Sequence, residues 1–468
     1  MNRATLAAIV LALAAAPYAA QAAATITIVN GDTAAKGFND PKAVDPVGGN
    51  SGTTLGKQRL IAFQAAADKW GANLNSTIPI RILATWEALA CTDGSAVLGS
   101  AGASEIFRNF ANAPRSATWY SKAQANAIAG TDLDDTTADI RARFNVNLGS
   151  PGCLTGVFFY LGLDNNHGNN ADLVTILTHE FGHGLGFQTY TNGISGAQTT
   201  GSPSIWDYFL LDTSTGLTWD KMTADQRAAS TLKPGKLAWN GPNVTSAALN
   251  MLWWGTPSLS VTQPDSVAGA YPIGTASFGP ALADPAVNGA VATFTDTDPN
   301  VALACDPLSA ANAAAVAGKI ALVDRGICTF VIKALNLQTA GAIGVLVADN
   351  VAGSPPPGLG GADPRILIPT VRISQGDGVT LKAAIAAATS PVMAALGINP
   401  YQLQGADPNG LVLMYATDPF QSGSTVSHFD TSAFPNQLME PFINDDLTHE
   451  VTPPYDLTLM LLRDIGWP

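Results

Sequence analysis

The sequence predicts an α+β protein in which a mixed sheet and a histidine-bearing helix are interrupted by a small α/β module. Three observations predict this class. A helical pattern and a strand-like pattern open the chain, an aromatic strand-like run precedes the histidine-bearing helix, and further strand-like runs occupy roughly residues 257–398. At 468 residues the chain exceeds what one core ordinarily supports, so at least two domains are expected.

The amino terminus has the organisation of a secretory signal peptide. Met1-Asn2-Arg3 supplies positive charge, residues 6–16 are apolar, and Ala20-Gln21-Ala22 is a small-residue cleavage site. We expect residues 1–22 to be removed and the mature protein to be secreted, to the periplasm or the extracellular space. No later stretch approaches the roughly 20 apolar residues of a spanning helix, so no membrane span is expected.

The charge balance argues against nucleic acid as a partner. Asp and Glu number 36 against 23 Lys and Arg, which gives a formal net charge of −13. A phosphate backbone would be repelled by such a chain. We interpret the acidic composition as a source of solubility outside the cell.

The cysteines are expected to form two disulfides, because an even number in an exported chain favours pairing. They are Cys91, Cys153, Cys305 and Cys328. Four cysteines allow three connectivities. If residues 23–256 and 399–468 form one domain around an inserted module at 257–398, the pairs 91–153 and 305–328 each lie within one domain. Each bridge would then contribute about 3 to 4 kcal/mol.

Periodicity predicts the elements that precede the histidines. Residues 56–74 read as a helix and 78–82 as a half-buried strand. The apolar positions of that helix are Leu60, Phe63, Ala67 and Trp70. Residues 157–161 form a short aromatic run between two glycines, which predicts a buried strand.

The histidine-bearing helix is predicted to begin near Ala171. Asn170 is available as its N-cap, and Gly184 with Gly186 can end it. Its apolar stripe is expected to face the core. A last amphipathic helix is predicted over residues 455–465.

The helix carries His179-Glu180-Phe181-Gly182-His183. Histidines four residues apart lie one turn apart on the same helix face, so both imidazoles can reach one Zn²⁺. Glu180 then lies beside the metal, where a carboxylate can act as general base and acid. The sequence therefore predicts a zinc site with His179 and His183 as ligands and Glu180 as the catalytic residue.

A catalytic zinc needs a third protein ligand and a position for water. Gly186 stands where a metzincin motif has its turn glycine, but Thr189 stands where that motif has its third histidine. The third ligand is therefore expected from far along the chain, and His428 is the best candidate. Met439 follows it by eleven residues.

This arrangement resembles the leishmanolysin branch of the metzincins. The resemblance implies a metzincin-like zinc protease domain with one catalytic Zn²⁺ held by His179, His183 and His428. It further implies Glu180 as the base and Met439 on a tight turn beneath the metal. The alternative for Met439 is plain core packing. Residues 455–467 are similar to the closing helix of that family.

Two other segments carry histidines. His167 lies in a loop rich in Asp and Asn, where Asp164 and neighbouring oxygens could hold Ca²⁺. The alternative for this loop is ordinary turn and cap chemistry. His449-Glu450 has Pro453 where a second histidine ligand would stand, so it is no competitor for the zinc.

The inserted module resembles the protease-associated domain at residues 318–330 and 340–350. The resemblance implies a small α/β fold without catalytic residues that flanks a protease and helps to engage protein substrates. The module lies between His183 and His428, so it is an insertion, and we expect it to stand over one end of the cleft. A nucleotide-binding function is not expected, because no Gly-rich phosphate loop precedes a helix.

The expected function is that of a secreted zinc endopeptidase acting on proteins or peptides. The alternative is a secreted binding or adhesion protein with a structural zinc site and no proteolysis. A structural site would need four protein ligands, and three are offered here. A zinc hydrolase of small esters or amides is the third interpretation, and the protease-associated module argues against it.

Overall fold

A computed structural model describes residues 23–296, 301–387, 390–444 and 446–468. The predicted signal peptide lies outside the described residues. The described helices are α1 (Leu55–Asn73), α2 (Lys122–Ala129), α3 (Leu173–Gly184), α4 (Ala224–Ser230), α5 (Pro242–Met251), α6 (Ala310–Val316), α7 (Phe330–Thr339), α8 (Gln375–Ala387) and α9 (Thr458–Asp464). Each is shorter or more polar than a membrane-spanning helix needs to be.

The described strands form two larger sheets and several small ones. They are β1 (Ile26–Asn30), β2 (Ile80–Glu87), β3 (Gly99–Ala103), β4 (Ile106–Phe107), β5 (Tyr120–Ser121), β6 (Ile140–Asn145), β7 (Phe159–Tyr160), β8 (Ala171–Asp172), β9 (Leu210–Asp212), β10 (Leu217–Thr218), β11 (Leu237–Trp239), β12 (Trp254–Gln263), β13 (Gly269–Tyr271), β14 (Gly274–Thr275), β15 (Val287–Ala292), β16 (Ile320–Asp324), β17 (Gly344–Ala348), β18 (Thr370–Ile373) and β19 (Met393–Leu403).

The first sheet is mixed and has the strand order β1-β2-β6-β3. β1, β2 and β6 are parallel, and β3 runs antiparallel to β6 along one edge. The side chains of β2 alternate between buried and half-buried positions, as expected for a strand with one face on the core. Together with the helices this sheet confirms the predicted α+β class.

Helices α1 and α3 contact each other, and α3 lies against β3 and β6. The close approach of α3 to the sheet depends on Gly184, because a Cβ there would lie 2.4 Å from a side-chain carbon of Ile140. Trp70 of α1 is fully buried and donates its indole N–H to the carbonyl of Thr178 at 2.9 Å. The histidine-bearing helix is therefore held between a second helix and the sheet.

The second sheet has eight strands in the order β13-β12-β19-β15-β16-β17-β18-β14. Strands β15 to β18 are parallel, and helices α6 and α7 connect β15 to β16 and β16 to β17. Separate apolar clusters lie on its two faces. The sheet uses residues from Trp254 to Leu403, slightly beyond the predicted module limits of 257 and 398. The antiparallel pair β12 and β19 leads the chain out of the first domain and back.

The structure corrects three details of the sequence prediction. Leu60 is exposed, because the buried stripe of α1 runs through Arg59 and Phe63 instead. The predicted buried strand at residues 157–161 is reduced to the half-buried two-residue strand β7, and Phe158 is exposed. Asn170 does not cap α3: its side-chain oxygen accepts the N–H of Phe158, and the cap is Asp172.

Candidate metal and catalytic site

The N-terminal cap and the apolar face of α3 fix the orientation of its polar residues. The Asp172 carboxylate accepts the N–H of Thr175 at 2.7 Å and so caps the first turn. Leu177 and Phe181 are fully buried in the core of the first domain. His179 and His183 occupy one face, four residues apart, as predicted.

His428 reaches this face from a segment that docks on the first domain through its backbone. Met414 donates its N–H to Leu237 of β11, and Tyr415 donates its N–H to the carbonyl of His428, each at 2.9 Å. The neighbouring Phe429 is fully buried and its ring lies 5.1 Å from that of Phe187. These contacts bring a residue 245 positions away in the sequence next to His183.

The three imidazoles converge. The Nε2 atom of His183 lies 3.2 Å from that of His179 and 3.2 Å from that of His428, and the third separation is 3.3 Å. Nitrogens bound to one tetrahedral Zn²⁺ at ~2.0–2.1 Å would be about 3.3 to 3.4 Å apart. The measured triangle therefore fits a single zinc-sized ion.

Hydrogen bonds assign the tautomer of each ring. Nδ1 of His179 lies 2.7 Å from the Leu438 carbonyl, and Nδ1 of His183 and of His428 each lie 2.8 Å from a carbonyl oxygen. A carbonyl only accepts, so each Nδ1 carries the proton and each Nε2 presents a lone pair. The short Nε2 contacts are therefore not hydrogen bonds, and three lone pairs facing one another call for a cation.

Burial keeps these imidazoles neutral. It lowers the pKa of His179 to about 4 and, together with the neighbouring His179, that of His183 to about 3. Burial also lowers the pKa of His428 well below its ordinary value. Neutral imidazole is the form that binds zinc, so the donor set suits the metal.

Glu180 lies at the free edge of the first sheet. Its Oε2 accepts the N–H of Ala101 in β3 at 2.8 Å. Burial raises the pKa of Glu180 to about 7, against the lowering effect of this hydrogen bond. The carboxylate is thus held beside the histidines by an edge strand, a contact that no sequence pattern indicated.

Met439 lies under the histidine-bearing turn. Its side chain is fully buried, and its Sδ is so close to α3 that a Cβ at Gly182 would lie 2.8 Å from it. The preceding residue, Leu438, supplies the carbonyl that accepts the His179 ring N–H. Met439 therefore packs against the turn between the two histidines, the location that the resemblance implied.

A buried carboxylate that the sequence did not reveal holds this methionine turn. Asp456 accepts the N–H of Leu438 at 2.6 Å and the N–H of Thr458 at 2.7 Å. Burial raises the pKa of Asp456 to about 6. Gln437 accepts the N–H of Leu457 at 2.9 Å and binds the same closing segment. No spacing rule links Asp456 to His179, since their connection runs through the backbone of Leu438.

The position of the missing near histidine has a different role. Thr189 donates its hydroxyl to the buried Asp207 at 2.8 Å. Gly186, at the turn after α3, has a φ of +116°, which favours glycine. The predicted turn is therefore present. Thr189 uses its hydroxyl to bind Asp207 and does not contribute to the three-imidazole site.

The remaining predicted residues lie elsewhere. His167 Nδ1 lies 2.8 Å from the carbonyl of Asn170, and Asp164 accepts the Tyr160 hydroxyl at 2.6 Å. Across the described ranges, the three imidazoles form the one group of His, Cys, Asp or Glu side chains arranged to hold a metal. These contacts are ordinary turn chemistry, so Ca²⁺ near Asp164 gains no support.

The predicted disulfides are confirmed. Cys91 pairs with Cys153, and Cys305 pairs with Cys328. All four cysteines of the sequence are thereby used. None is available as a thiolate ligand for the metal.

Comparison with known proteins identifies part of the inserted module. Residues 287–381 match the family model of the PA domain, which confirms the predicted resemblance to a protease-associated domain. This match lies wholly between His183 and His428. It therefore does not bear on the three imidazoles, and the metzincin resemblance has no support from it.

Curated relatives share only short segments with this chain. Vacuolar-sorting receptor 2 of Arabidopsis thaliana is 34% identical over 139 residues, which cover 28% of this chain and 22% of the receptor. Leucine aminopeptidase 2 of Arthroderma otae is 46% identical over 69 residues, 15% of this chain and 14% of the enzyme. The chain thus matches less than a quarter of either relative's length.

Solved structures show a similarly partial likeness. An aminopeptidase from Aneurinibacillus sp. strain AM-1 covers 32% of this chain and 31% of its own, with 21% identity and a TM-score of 0.24. BSAP, a zinc aminopeptidase from Bacillus subtilis, covers 33% and 36%, with the same identity and TM-score. Similarity this low carries no argument about the fold of the whole chain.

Proposed function

We propose that this protein is a secreted zinc endopeptidase of the leishmanolysin-like metzincin type, with Glu180 as general base. The observation that carries the proposal is the convergence of three neutral, buried imidazoles within 3.3 Å, with a carboxylate on the same helix. Two disulfides support export, because such bonds persist in oxidising compartments.

The residues around the site suit peptide hydrolysis. His179, His183 and His428 would hold the zinc, which supplies Lewis-acid polarisation of a carbonyl and makes water more acidic. Glu180 takes a proton from the attacking water and passes it to the leaving amine. The amide of Ala101 orients that carboxylate from the edge strand.

The number of ligands favours a catalytic site over a structural one. Structural zinc sites are closed by four protein ligands, and the described residues offer three. A structural zinc site, as in the alternative of a binding or adhesion protein, would therefore lack its fourth protein ligand. A further protein ligand would be needed to sustain it.

The edge strand supports cleavage within an extended chain. β3 is the last strand of its sheet, and one of its outward amides, that of Ala101, already meets Glu180. Extended peptides commonly bind by adding a strand to such an edge. A substrate bound this way would continue on both sides of Glu180, as endopeptidase action requires.

The PA-containing module touches the segment that carries the third histidine. Ser354 and Asp418 exchange two backbone hydrogen bonds, of 2.8 and 2.9 Å. Asp418 precedes His428 by ten residues. This contact supports the proposal that the module borders the cleft and biases the choice of protein substrates.

A second candidate is removal of amino-terminal residues. It is favoured by the match of short segments of this chain to proteins named leucine aminopeptidase. Peptides with acetylated and with free amino termini separate the two candidates. An endopeptidase cleaves both, whereas an aminopeptidase requires the free terminus.

The test of the mechanism is Glu180→Ala in the full mature chain. We expect the variant to retain one zinc per chain by mass spectrometry and to lose about 10²- to 10⁴-fold in kcat for peptide hydrolysis. Loss of zinc together with activity would assign Glu180 a structural role. Undiminished cleavage would remove it from the mechanism.

A further inference from the structure

The histidine-bearing helix α3 ends in a Schellman turn. Gly186 donates its N–H to the carbonyl of His183, and Phe187 donates its N–H to the carbonyl of Gly182, each at 3.0 Å. These two bonds define the motif, and Gly186 is its residue of positive φ. The turn binds His183 a second time, because the carbonyl of Phe187 also accepts its ring N–H at 2.8 Å.

The turn leaves the carbonyl of Leu185, at the C-cap, outside its own hydrogen bonds. The last carbonyls of an α-helix have no partner within the helix. Two side chains from other segments donate to this oxygen: the indole N–H of Trp467 at 2.8 Å and the hydroxyl of Ser121 at 3.2 Å. Ser121 is fully buried and Trp467 is 4% exposed, so both bonds lie away from solvent.

Trp467 is itself held in the turn that ends α9. Its backbone N–H donates to the carbonyl of Leu462 at 3.0 Å, and the preceding Gly466 has a φ of +102°. The carbonyl of Ile465, at the C-cap of α9, accepts the side-chain N–H of the fully buried Gln124 at 2.7 Å. The indole is therefore presented to α3 by a turn that is anchored in the core.

The peptide group between Leu185 and Gly186 connects these donors to His183. A peptide group is planar, so its carbonyl and its N–H point in opposite directions and move together. The donors on the Leu185 oxygen therefore also fix the Gly186 N–H that binds the carbonyl of His183. They hold the turn in which the Phe187 carbonyl faces the His183 ring. That carbonyl keeps the ring proton on Nδ1 and directs Nε2 towards the other two imidazoles.

We propose that Trp467 is a positioning residue of the zinc site. With Ser121 as its partner, it acts on His183 through the C-cap carbonyl of the histidine-bearing helix. The inference rests on the zinc site of the proposed function and does not depend on the reaction performed there.

The variant that tests this is Trp467→Phe in the full mature chain. Phenylalanine keeps much of the apolar contact of the ring but has no N–H, so the Leu185 carbonyl loses its shorter hydrogen bond. Trp219→Phe is the matched control, because Trp219 is fully buried and its indole N–H donates to Ser230 at 2.9 Å. Both variants lose a buried indole donor, but only Trp467→Phe changes the turn after α3.

Zinc affinity is the first measurement. Competition with a chromophoric chelator should show about 10-fold weaker binding in Trp467→Phe, the lower end of the cost of losing an outer partner of a metal ligand. The control should bind zinc as wild type does, although urea unfolding of the metal-free proteins should show a loss of stability in both variants. Ser121→Ala removes the longer bond to the same carbonyl and should weaken zinc binding in the same direction.

The tautomer of His183 is the second measurement, and it requires neither bound zinc nor peptidase activity. The chain contains five histidines, so long-range ¹H–¹⁵N spectra of protein labelled with ¹⁵N-histidine can be assigned with a His183→Gln variant. In metal-free wild type and in Trp219→Phe we expect the His183 proton on Nδ1. In Trp467→Phe both tautomers should contribute to the His183 signal. The His179 signal should stay unchanged, because the Leu438 carbonyl accepts its ring N–H.

These measurements separate the inference from the peptidase function. Weaker zinc binding and a mixed His183 tautomer in Trp467→Phe alone would support the positioning role even if the protein cleaves no peptide. Equal losses of zinc affinity in Trp467→Phe and Trp219→Phe would overturn the inference and leave Trp467 a packing residue. A His183 tautomer that is unchanged in both Trp467→Phe and Ser121→Ala would overturn it as well.

Discussion

Asp456 is predicted to position a zinc ligand through the methionine turn, and Asp456→Asn tests this. The carboxylate accepts two backbone N–H groups, from Leu438 and Thr458, whereas an amide offers one acceptor. One buried N–H is then opposed by NH₂, which costs about 1 to 3 kcal/mol in the free energy of unfolding. The Leu438 carbonyl that accepts the His179 ring N–H should move with its peptide.

The expected effect on zinc is a 10- to 100-fold weaker affinity, roughly the cost of losing an outer partner of a metal ligand. Competition with a chromophoric chelator measures that affinity, and urea unfolding of the metal-free protein measures stability. Asp464→Asn is the matched control. Asp464 accepts the backbone N–H groups of Asn243 and Val244 at 2.8 and 3.1 Å, and it also accepts side-chain N–H groups of Trp239 and Asn243. Within the described ranges, the partners of the three imidazole rings do not include any of these residues.

The control variant should lose at least as much stability, because Asp464 accepts more hydrogen bonds, and it should keep its zinc affinity. Equal weakening of zinc binding in both variants would show that general destabilisation is the cause. Unchanged zinc affinity in Asp456→Asn would refute the path from Asp456 through Leu438 to His179.

Two further predictions concern packing and the inserted module. Gly182→Ala should lower the free energy of unfolding, measured in urea, by about 1 to 2 kcal/mol, because crowding against Met439 outweighs the better helix propensity of alanine. Adding Met439→Ala to this variant should relieve the crowding. Replacing residues 258–397 by Asn-Gly joins the paired positions Pro257 and Ile398, and should preserve zinc binding and peptide cleavage while changing the set of proteins cleaved.

Each of these has a clear contrary result. Additive losses in the Gly182→Ala and Met439→Ala double variant would show that the two side chains do not collide. An identical profile of cleaved proteins, read by mass spectrometry of a digested protein mixture, would remove the module from substrate choice. Loss of zinc on module replacement would instead make the module a structural support for His428.

Part of the metal site is predictable from sequence, because His179 and His183 are only four residues apart on one helix. Helical periodicity places His179 and His183 on one face, and Thr189 at the position of a near third histidine leaves the third ligand to a distant residue such as His428. The contacts of Ala101 and Asp456 could not be predicted, since each acts through a backbone group whose position depends on the folded chain.

The errors in the fold have physical causes as well. Leu60 is one residue away from the buried stripe of α1. Arg59 takes the core-facing position instead, and its guanidinium carbon lies 4.1 Å from the centre of the Trp86 ring. The composition of the aromatic run around Phe158 predicts a buried strand. Among the described residues, β7 pairs with the two-residue β8 alone, so the run lacks the neighbouring strands that would bury it.

The most direct test of the account is X-ray absorption at the zinc edge, on wild type and on His428→Ala. We predict three imidazole nitrogens and one water oxygen at about 2.0 to 2.1 Å in wild type, and two imidazoles in the variant. An unchanged imidazole count in His428→Ala, or four protein ligands and no water in wild type, would contradict the convergence of one helix and a distant histidine on an open zinc site.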